Sequence, residues 1–194
     1  MKRAILAVAI LGLAFGQLPV VTAQNPAAAG KPAQPTERPG PASSDQRFSG
    51  VAGFTIDYPK RDWSLLPSVG SALVVFIHKS KEALVAVERI KIPVALAPND
   101  IIDETAKYEV EDWRARRPYA TGFAAQVFPY FDSKAIIIDV TQPGALGPEH
   151  VRLYTLFRGT DKYRVICTTT LPTFAKYKET VHRMALSLSP TAVE

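Results

Sequence analysis

The chain has 194 residues, 47% of them hydrophobic, with 23 basic and 18 acidic side chains and a formal net charge of +5. That length and apolar content support one domain with a true core rather than a disordered chain. Without residues 1–23, which carry Lys2 and Arg3, the net charge falls to +3, too mild for a dedicated nucleic-acid binder, and a single cysteine excludes an internal disulfide framework.

Met1, Lys2 and Arg3 precede an uninterrupted apolar run over residues 4–16, and Val21-Thr22-Ala23 places small residues just before Gln24. A basic start, an apolar stretch and a small-residue cleavage motif predict a secretory signal peptide over residues 1–23, cut between Ala23 and Gln24. The run is short for a bilayer, which needs roughly 20 apolar residues. The chain is therefore expected to be exported, periplasmic or extracellular, with no stable membrane insertion after cleavage. The only cysteine is Cys167, so there is no acylation motif behind the leader. Residues 24–47 are Pro, Ala, Gly and Ser with little to bury, which predicts a disordered linker. Pro-rich chain extends by up to about 3.1 Å per residue, so this linker reads as a spacer. The folded domain is expected over residues 48–190, with a short tail at 191–194.

In residues 54–58, Phe54, Ile56 and Tyr58 alternate with polar residues, a half-buried or edge strand ended by Pro59. Trp63 is expected to cover an end of the sheet. Residues 72–78 (ALVVFIH) and 83–92 (ALVAVERIKI) read as two strands joined at Lys79-Ser80-Lys81, with continuous apolar centres that suit cover on two sides. Pro98-Asn99-Asp100 predicts a helix start with Asn99 as N-cap. Its apolar stripe would be Ile102, Ala106, Val110 and Trp113. Asp100, Asp103 and Glu104 crowd the first turn and Arg114, Arg116 and Arg117 the last, as the helix dipole favours. The acidic group lacks the alternating oxygen ligands of a calcium loop, so it reads as capping. Pro118 ends the helix. Strands at 123–131 and 135–141 flank a turn at Asp132-Ser133-Lys134, and residues 142–148 (QPGALGP) read as a loop.

The stretch that organises the domain follows, over residues 149–189. Val151, Leu153, Thr155 and Phe157 alternate with Arg152, Tyr154, Leu156 and Arg158. A turn near Gly159-Thr160-Asp161 returns the chain. Tyr154 and Leu156 then share a face with Tyr163, Val165 and Cys167, while Leu153 and Phe157 share the other with Ile166. Apolar residues on both faces predict cover on both. A helix from Pro172 carries the stripe Phe174, Tyr177, Val181, Met184, Ala185 and Leu188, and Pro190 stops it. The sum is an α+β fold: a mainly antiparallel sheet of six to seven strands sandwiched by helices, α/β/α.

The segment GFTIDYPKRDW resembles the "GF-x-I-x-YP…W" opening of PsbP-like and DcrB-like domains. The later order matches as well: a helix after the third strand, a hairpin with Lys162-Tyr163-Arg164, and a final helix from Phe174 to Ser187-Leu188-Ser189. The resemblance covers residues 48–190. It implies the fold shared with a Ran-binding nuclear import factor and an exported, non-catalytic accessory or binding domain. It does not extend to photosystem function, because photosynthetic members are typically lipidated or plastid-targeted and this sequence shows neither feature.

The chain contains no HExxH, GxSxG, CxxC or P-loop. His78, His150 and His182 lie far apart in sequence. Cys167 sits among Val165 and Ile166, which favours a buried structural thiol over a nucleophile paired with histidine. No catalytic, cofactor-binding or metal residue is assigned, and no cofactor is expected. The best candidate site is His150, Arg152 and Arg164, beside the glycine-rich loop, as a receiver of an anionic group or a partner; the competing reading is a solvated basic surface. Two functions follow. One is a binding domain acting through a surface on an envelope protein. The other is a small-ligand carrier or hydrolase with an unrecognised pocket. A deep pocket with converging polar groups would favour the second, and a filled core with an exposed apolar patch the first. The oligomeric state is left open.

Overall fold

The computed structural model describes residues 45–50, 53–66, 68, 70–145 and 147–191. The expected leader, its Ala23–Gln24 junction, residues 24–44 of the expected linker and residues 192–194 of the tail lie outside them. The elements are β1 (Asp45–Gly50), β2 (Phe54–Pro59), β3 (Trp63–Leu66), β4 (Val74–His78) and β5 (Ala83–Lys91), then helix α1 (Asp103–Arg116). After it come β6 (Thr121–Tyr130), β7 (Ser133–Gly144), β8 (Gly147–Arg158), β9 (Asp161–Thr170), helix α2 (Phe174–Ser187) and β10 (Ser189–Pro190). No helix among the described residues is long and apolar enough to cross a membrane.

Seven strands form one antiparallel sheet in the order β3-β4-β5-β9-β8-β7-β6, and β1-β2-β10 form a second, smaller sheet. Topology follows from connection length. Two-residue loops join β6 to β7 and β8 to β9, which forces antiparallel neighbours. The β8–β9 loop is Gly159-Thr160, and Gly159 takes the positive φ of 57° that glycine adopts without strain. The long link is β5 to β6, which sit four strand positions apart. At about 4.8 Å per strand that span is about 19 Å, and a helix of 14 residues covers about 21 Å. α1 is that bridge.

One core fills the space between the large sheet and the layer made of α2 and the small sheet. Phe54, Ile56 and Tyr58 of β2 and Tyr177, Val181, Met184 and Leu188 around α2 meet Phe76, Val85, Ile137, Tyr154, Leu156 and Val165 of the large sheet. Burial of each such side chain contributes about 1.5–3 kcal/mol. The second core lies under α1, where Ala106 and Trp113 meet Ile136, Ile138, Val140, Val151, Leu153 and Phe157. The hairpin faces follow the expected division: Tyr154 and Leu156 join Tyr163, Val165 and Cys167 in the first core, and Leu153, Phe157 and Ile166 join the second.

The structure departs from expectation at several points. β2 is absent from the large sheet, and β1 begins at Asp45, so pairing starts ahead of Phe48. Trp63 is buried in the first core, as expected of a covering residue, but it also opens a strand. Asn99 is not a helix cap. Pro98–Asp100 forms a separate 3₁₀ turn closed by the Asp100 carboxylate, which accepts the Ala97 N–H at 2.9 Å, and the α-helix starts only at Asp103. Ile102 therefore leaves the stripe and is 45% exposed. Residues 142–148 are not a free loop: β7 runs to Gly144 and β8 starts at Gly147, with Pro143 opposite Pro148. The β6–β7 turn is Phe131-Asp132, one residue earlier than expected.

Candidate functional site

β8 places His150, Arg152 and Tyr154 in a row on the face covered by α2, because alternate residues of a strand point the same way. Asp139 of β7 stands directly opposite Arg152. The pairing is bidentate: Arg152 Nε donates to Asp139 Oδ1 at 2.7 Å and Nη2 to Oδ2 at 2.8 Å. His150 Nε2 lies 2.8 Å from the same Oδ1; a carboxylate only accepts, so Nε2 carries the hydrogen. Burial disfavours the Asp139 charge, but the bonds from His150 and Arg152 outweigh it and hold the carboxyl down at about 2.

α2 closes this row from above. Phe174 stacks on the His150 ring at 3.6 Å and lies 5.1 Å under the Arg152 guanidinium. Two turns further along the helix, His182 Nδ1 is 2.8 Å from the Tyr154 hydroxyl. Burial raises the Tyr154 pKa and, with Arg152 nearby, lowers that of His182. The phenol therefore donates to a neutral imidazole. Cys167 is opposite Arg152 on β9, fully enclosed, and burial pushes its thiol up, which keeps it from acting as a thiolate.

Arg164 is elsewhere. It faces α1, on the opposite side of the sheet from His150 and Arg152, so the three do not form one site. It is fully buried and gives Nη2 to Glu109 Oε2 at 2.9 Å and to Asp112. Lys162 reaches Glu109 Oε1 at 2.8 Å, and Thr155 donates to Oε2. Burial pulls the Arg164 pKa down, but Asp112 and Glu109 outweigh it and hold the guanidinium charged. Sequence reading missed this cluster because it gave Glu109 and Asp112 no role.

A third polar group was also missed. His78, Ser80 and Glu82 on the β4–β5 turn meet Lys176 and Tyr177 of α2. Ser80 Oγ is 2.8 Å from His78 Nδ1 and donates to Glu82 Oε2 at 3.0 Å; Tyr177 donates to the same oxygen at 2.7 Å. Hydrogen bonds from Tyr177, Lys176 and Ser80 hold the Glu82 carboxyl at about 2. The carboxylate is an acceptor for serine and tyrosine rather than an orienter of histidine, so the arrangement is a clamp between turn and helix and lacks the relay of a nucleophile triad.

Two further surface features stand out among the described residues. A shallow cleft of about 200 Å³ lies at the end of the sheet, lined by Tyr130, Phe131, Leu156, Phe157, Arg158 and Pro190 among others. Ligand pockets usually hold about 300–1,000 Å³, so this one admits a side chain or a small ion. The other feature is larger. α1 covers β6, β7 and β8 but stops short of the β3–β5 half of its face. There Leu66 and Leu73 are 39% and 38% exposed, Ile77, Leu84 and Ala86 are half-buried, and Glu88 and Ser71 stand at the rim. The expectation of at least partial cover on both faces thus holds: α2 and the small sheet cover one side, and α1 covers half of the other. Among the described residues no group of three or more His, Cys, Asp or Glu side chains is arranged to hold a metal ion.

No protein-family model and no curated protein sequence matches the chain. Solved structures do. The cyanobacterial PsbP (CyanoP) of Synechocystis sp. PCC 6803 is similar at 14% identity over 80% of this chain and 97% of its own, with a TM-score of 0.58. The Ran-binding protein Mog1p of Saccharomyces cerevisiae is similar at 11% identity over 75% of this chain and 95% of its own, TM-score 0.50. LpqN of Mycobacterium tuberculosis, involved in cell envelope biogenesis, is similar at 10% identity over 76% and 91%, TM-score 0.50. At such identities the likeness establishes architecture: the chain has the PsbP-like fold.

Proposed function

We propose that the protein is an exported, non-catalytic accessory or binding domain that works in the cell envelope by docking a protein partner. The observation that carries this reading is the half-open apolar sheet face around Leu66, Leu73, Ile77, Leu84 and Ala86. Contiguous exposed apolar surface on a folded domain marks an interaction site. The chemistry-bearing side chains support it from the other direction, since His150 and Arg152 are engaged by Asp139, Arg164 by Glu109 and Asp112, and Ser80 by Glu82. Of the proteins with this fold, Mog1p binds Ran and LpqN is involved in cell envelope biogenesis, roles consistent with a docking domain. The leader read in residues 1–23 would deliver the domain to that compartment.

The test has two parts. Mass and N-terminal sequencing of the protein recovered from its own cells should give a chain starting at Gln24 in the exported fraction; a cytoplasmic chain starting at Met1 rejects export. Capture from envelope extracts should then retain a partner with the native chain and lose it with Leu66→Lys or Leu73→Lys. Retention by both variants, or turnover of a substrate abolished by His78→Ala or His150→Ala, rejects the docking role.

A further inference from the structure

The outer edge of β6 is the second unused surface, and it has features that suit its own copy. β6 is the last strand of the large sheet among the described residues, ten residues long, and the run from Ala120 to Tyr130 carries no charge. Natural edge strands are usually blunted by lysine, proline, a bulge or a covering element. Here the blunting is confined to the two ends. A bulge between Thr121 and Ala124, with Gly122 at φ 66°, breaks the ladder on one side, and Pro129 withholds its N–H on the other. Between them Ala124, Ala125, Gln126, Val127 and Phe128 pair regularly with β7 on the inside, and those of their amides and carbonyls that point outward are unclaimed by any strand among the described residues.

We propose that this segment pairs antiparallel with the same segment of a second copy, around a two-fold axis at Gln126, joining the two large sheets into one. The register follows from size. With Gln126 opposite Gln126, Phe128 of one copy stands opposite Ala124 of the other, and Val127 opposite Ala125. Large side chains meet small ones on either side of the Gln126 pair, and each pair keeps to one face: Phe128 and Ala124 lie on the α2 side, Val127 and Ala125 on the α1 side. A one-residue slip would place Phe128 opposite Ala125 and mix the faces. The charges beyond the strand agree. Arg117 precedes the uncharged run and Asp132, which pairs with Arg158, follows it; in this register Asp132 of one copy stands opposite Ala120 of the other, so antiparallel pairing puts opposite charges at the same end, whereas parallel pairing would put like with like. The interface is isologous, as a closed dimer requires, and it is small, so association is reversible and concentration-dependent.

Sedimentation equilibrium of the purified chain tests this. A monomer–dimer equilibrium is expected. Gln126→Lys, which sets two ammonium groups opposite each other on an exposed position, should weaken association by about tenfold or more, with an unchanged thermal melt. Gln126→Cys should cross-link under mild oxidation, because directly opposed strand residues have Cα atoms about 4.5–5.5 Å apart, within disulfide reach. The unsubstituted chain should not cross-link, since Cys167 is buried. A single monomeric mass up to about millimolar concentration overturns the proposal, including the case in which β6 is paired by a strand of another protein. So does a dimer that is indifferent to Gln126→Lys and that the Gln126→Cys variant fails to cross-link.

Discussion

Replacing Asp139 by asparagine tests the row on β8 most directly. The substitution keeps size and removes the charge that engages Arg152 twice and His150 once. The carboxyl sits at about 2 in the fold, against 3.8 free, a difference worth about 2.5 kcal/mol at about 1.4 kcal/mol per unit. Asp139 keeps 25% of its side chain in solvent, and screening reduces that figure to about 1–2 kcal/mol. To this is added the cost of leaving Arg152, whose side chain is 13% exposed, without its counter-charge. Asp139→Asn should therefore lower stability by about 2–3 kcal/mol near neutral pH, read from urea midpoints at constant slope. The sign of the pH dependence is fixed. A carboxyl whose folded pKa lies below its unfolded one contributes stability that is complete above about pH 5 and is lost as pH falls toward about 2. The penalty of the variant should accordingly shrink between about pH 5 and about pH 2.5. Adding Arg152→Met to Asp139→Asn should recover part of the loss, because the stranded cation goes with it. A penalty below about 0.5 kcal/mol at neutral pH, or one that does not change with acid, refutes the claim that this pair holds the sheet face together.

Glu109→Ala should cost about 3–5 kcal/mol in urea unfolding, since it strands the buried Lys162 and weakens the seat of Arg164; a triple change with Lys162→Met and Arg164→Met should regain most of it. Cys167 should resist a thiol reagent in the native protein and react at once in denaturant, because burial raises its pKa and closes access. Lys81 holds a φ of 63° on an exposed turn, so Lys81→Gly should leave stability unchanged or raise it by up to about 1 kcal/mol, as seen in thermal melts; a clear loss would show that the lysine side chain matters to the turn.

What could be read from the chain and what could not divide along physical lines. The β8–β9 hairpin was legible to the level of individual faces, since Gly159 sets the turn and a period of two leaves no freedom after that. α2 was legible because Tyr177, Val181, Met184 and Leu188 recur at helical spacing and all reach the core. β1 and β10 were not, because DQRFSG continues the polar composition of the preceding linker and β10 is only Ser189–Pro190; both exist by pairing with β2. The start of α1 was misplaced because Asn99 is a good cap in isolation, while the Asp100 carboxylate closes a tighter turn one residue later. Of the site, His150 and Arg152 share a face, as strand alternation dictates, but Asp139, which engages both, carries no signal in a strand read as IIIDV. Arg164 was grouped with them by sequence proximity, and strand parity alone puts it on the other side. The one usable hint of its buried cluster was a lysine and an arginine alternating with Tyr163 and Val165 on a central strand.

The two helices cover their sides of the sheet by different means, and the difference has a topological origin. α2 follows a hairpin and lies free to choose its position, so its length and stripe match the core it covers, with the small sheet completing the layer. α1 has no such freedom. It must carry the chain from β5 to the far edge at β6, and its 14 residues are about what that crossing needs. It therefore lies over the strands it crosses and cannot also reach β3 and β4. Its landing zone includes Lys162 and Arg164, and Glu109 and Asp112 are the residues that let a helix with few apolar contacts sit there. The half that α1 leaves uncovered, around Leu66, Leu73 and Leu84, is then a consequence of strand order. Among the described residues, no rearrangement of side chains on α1 can extend it over β3 and β4.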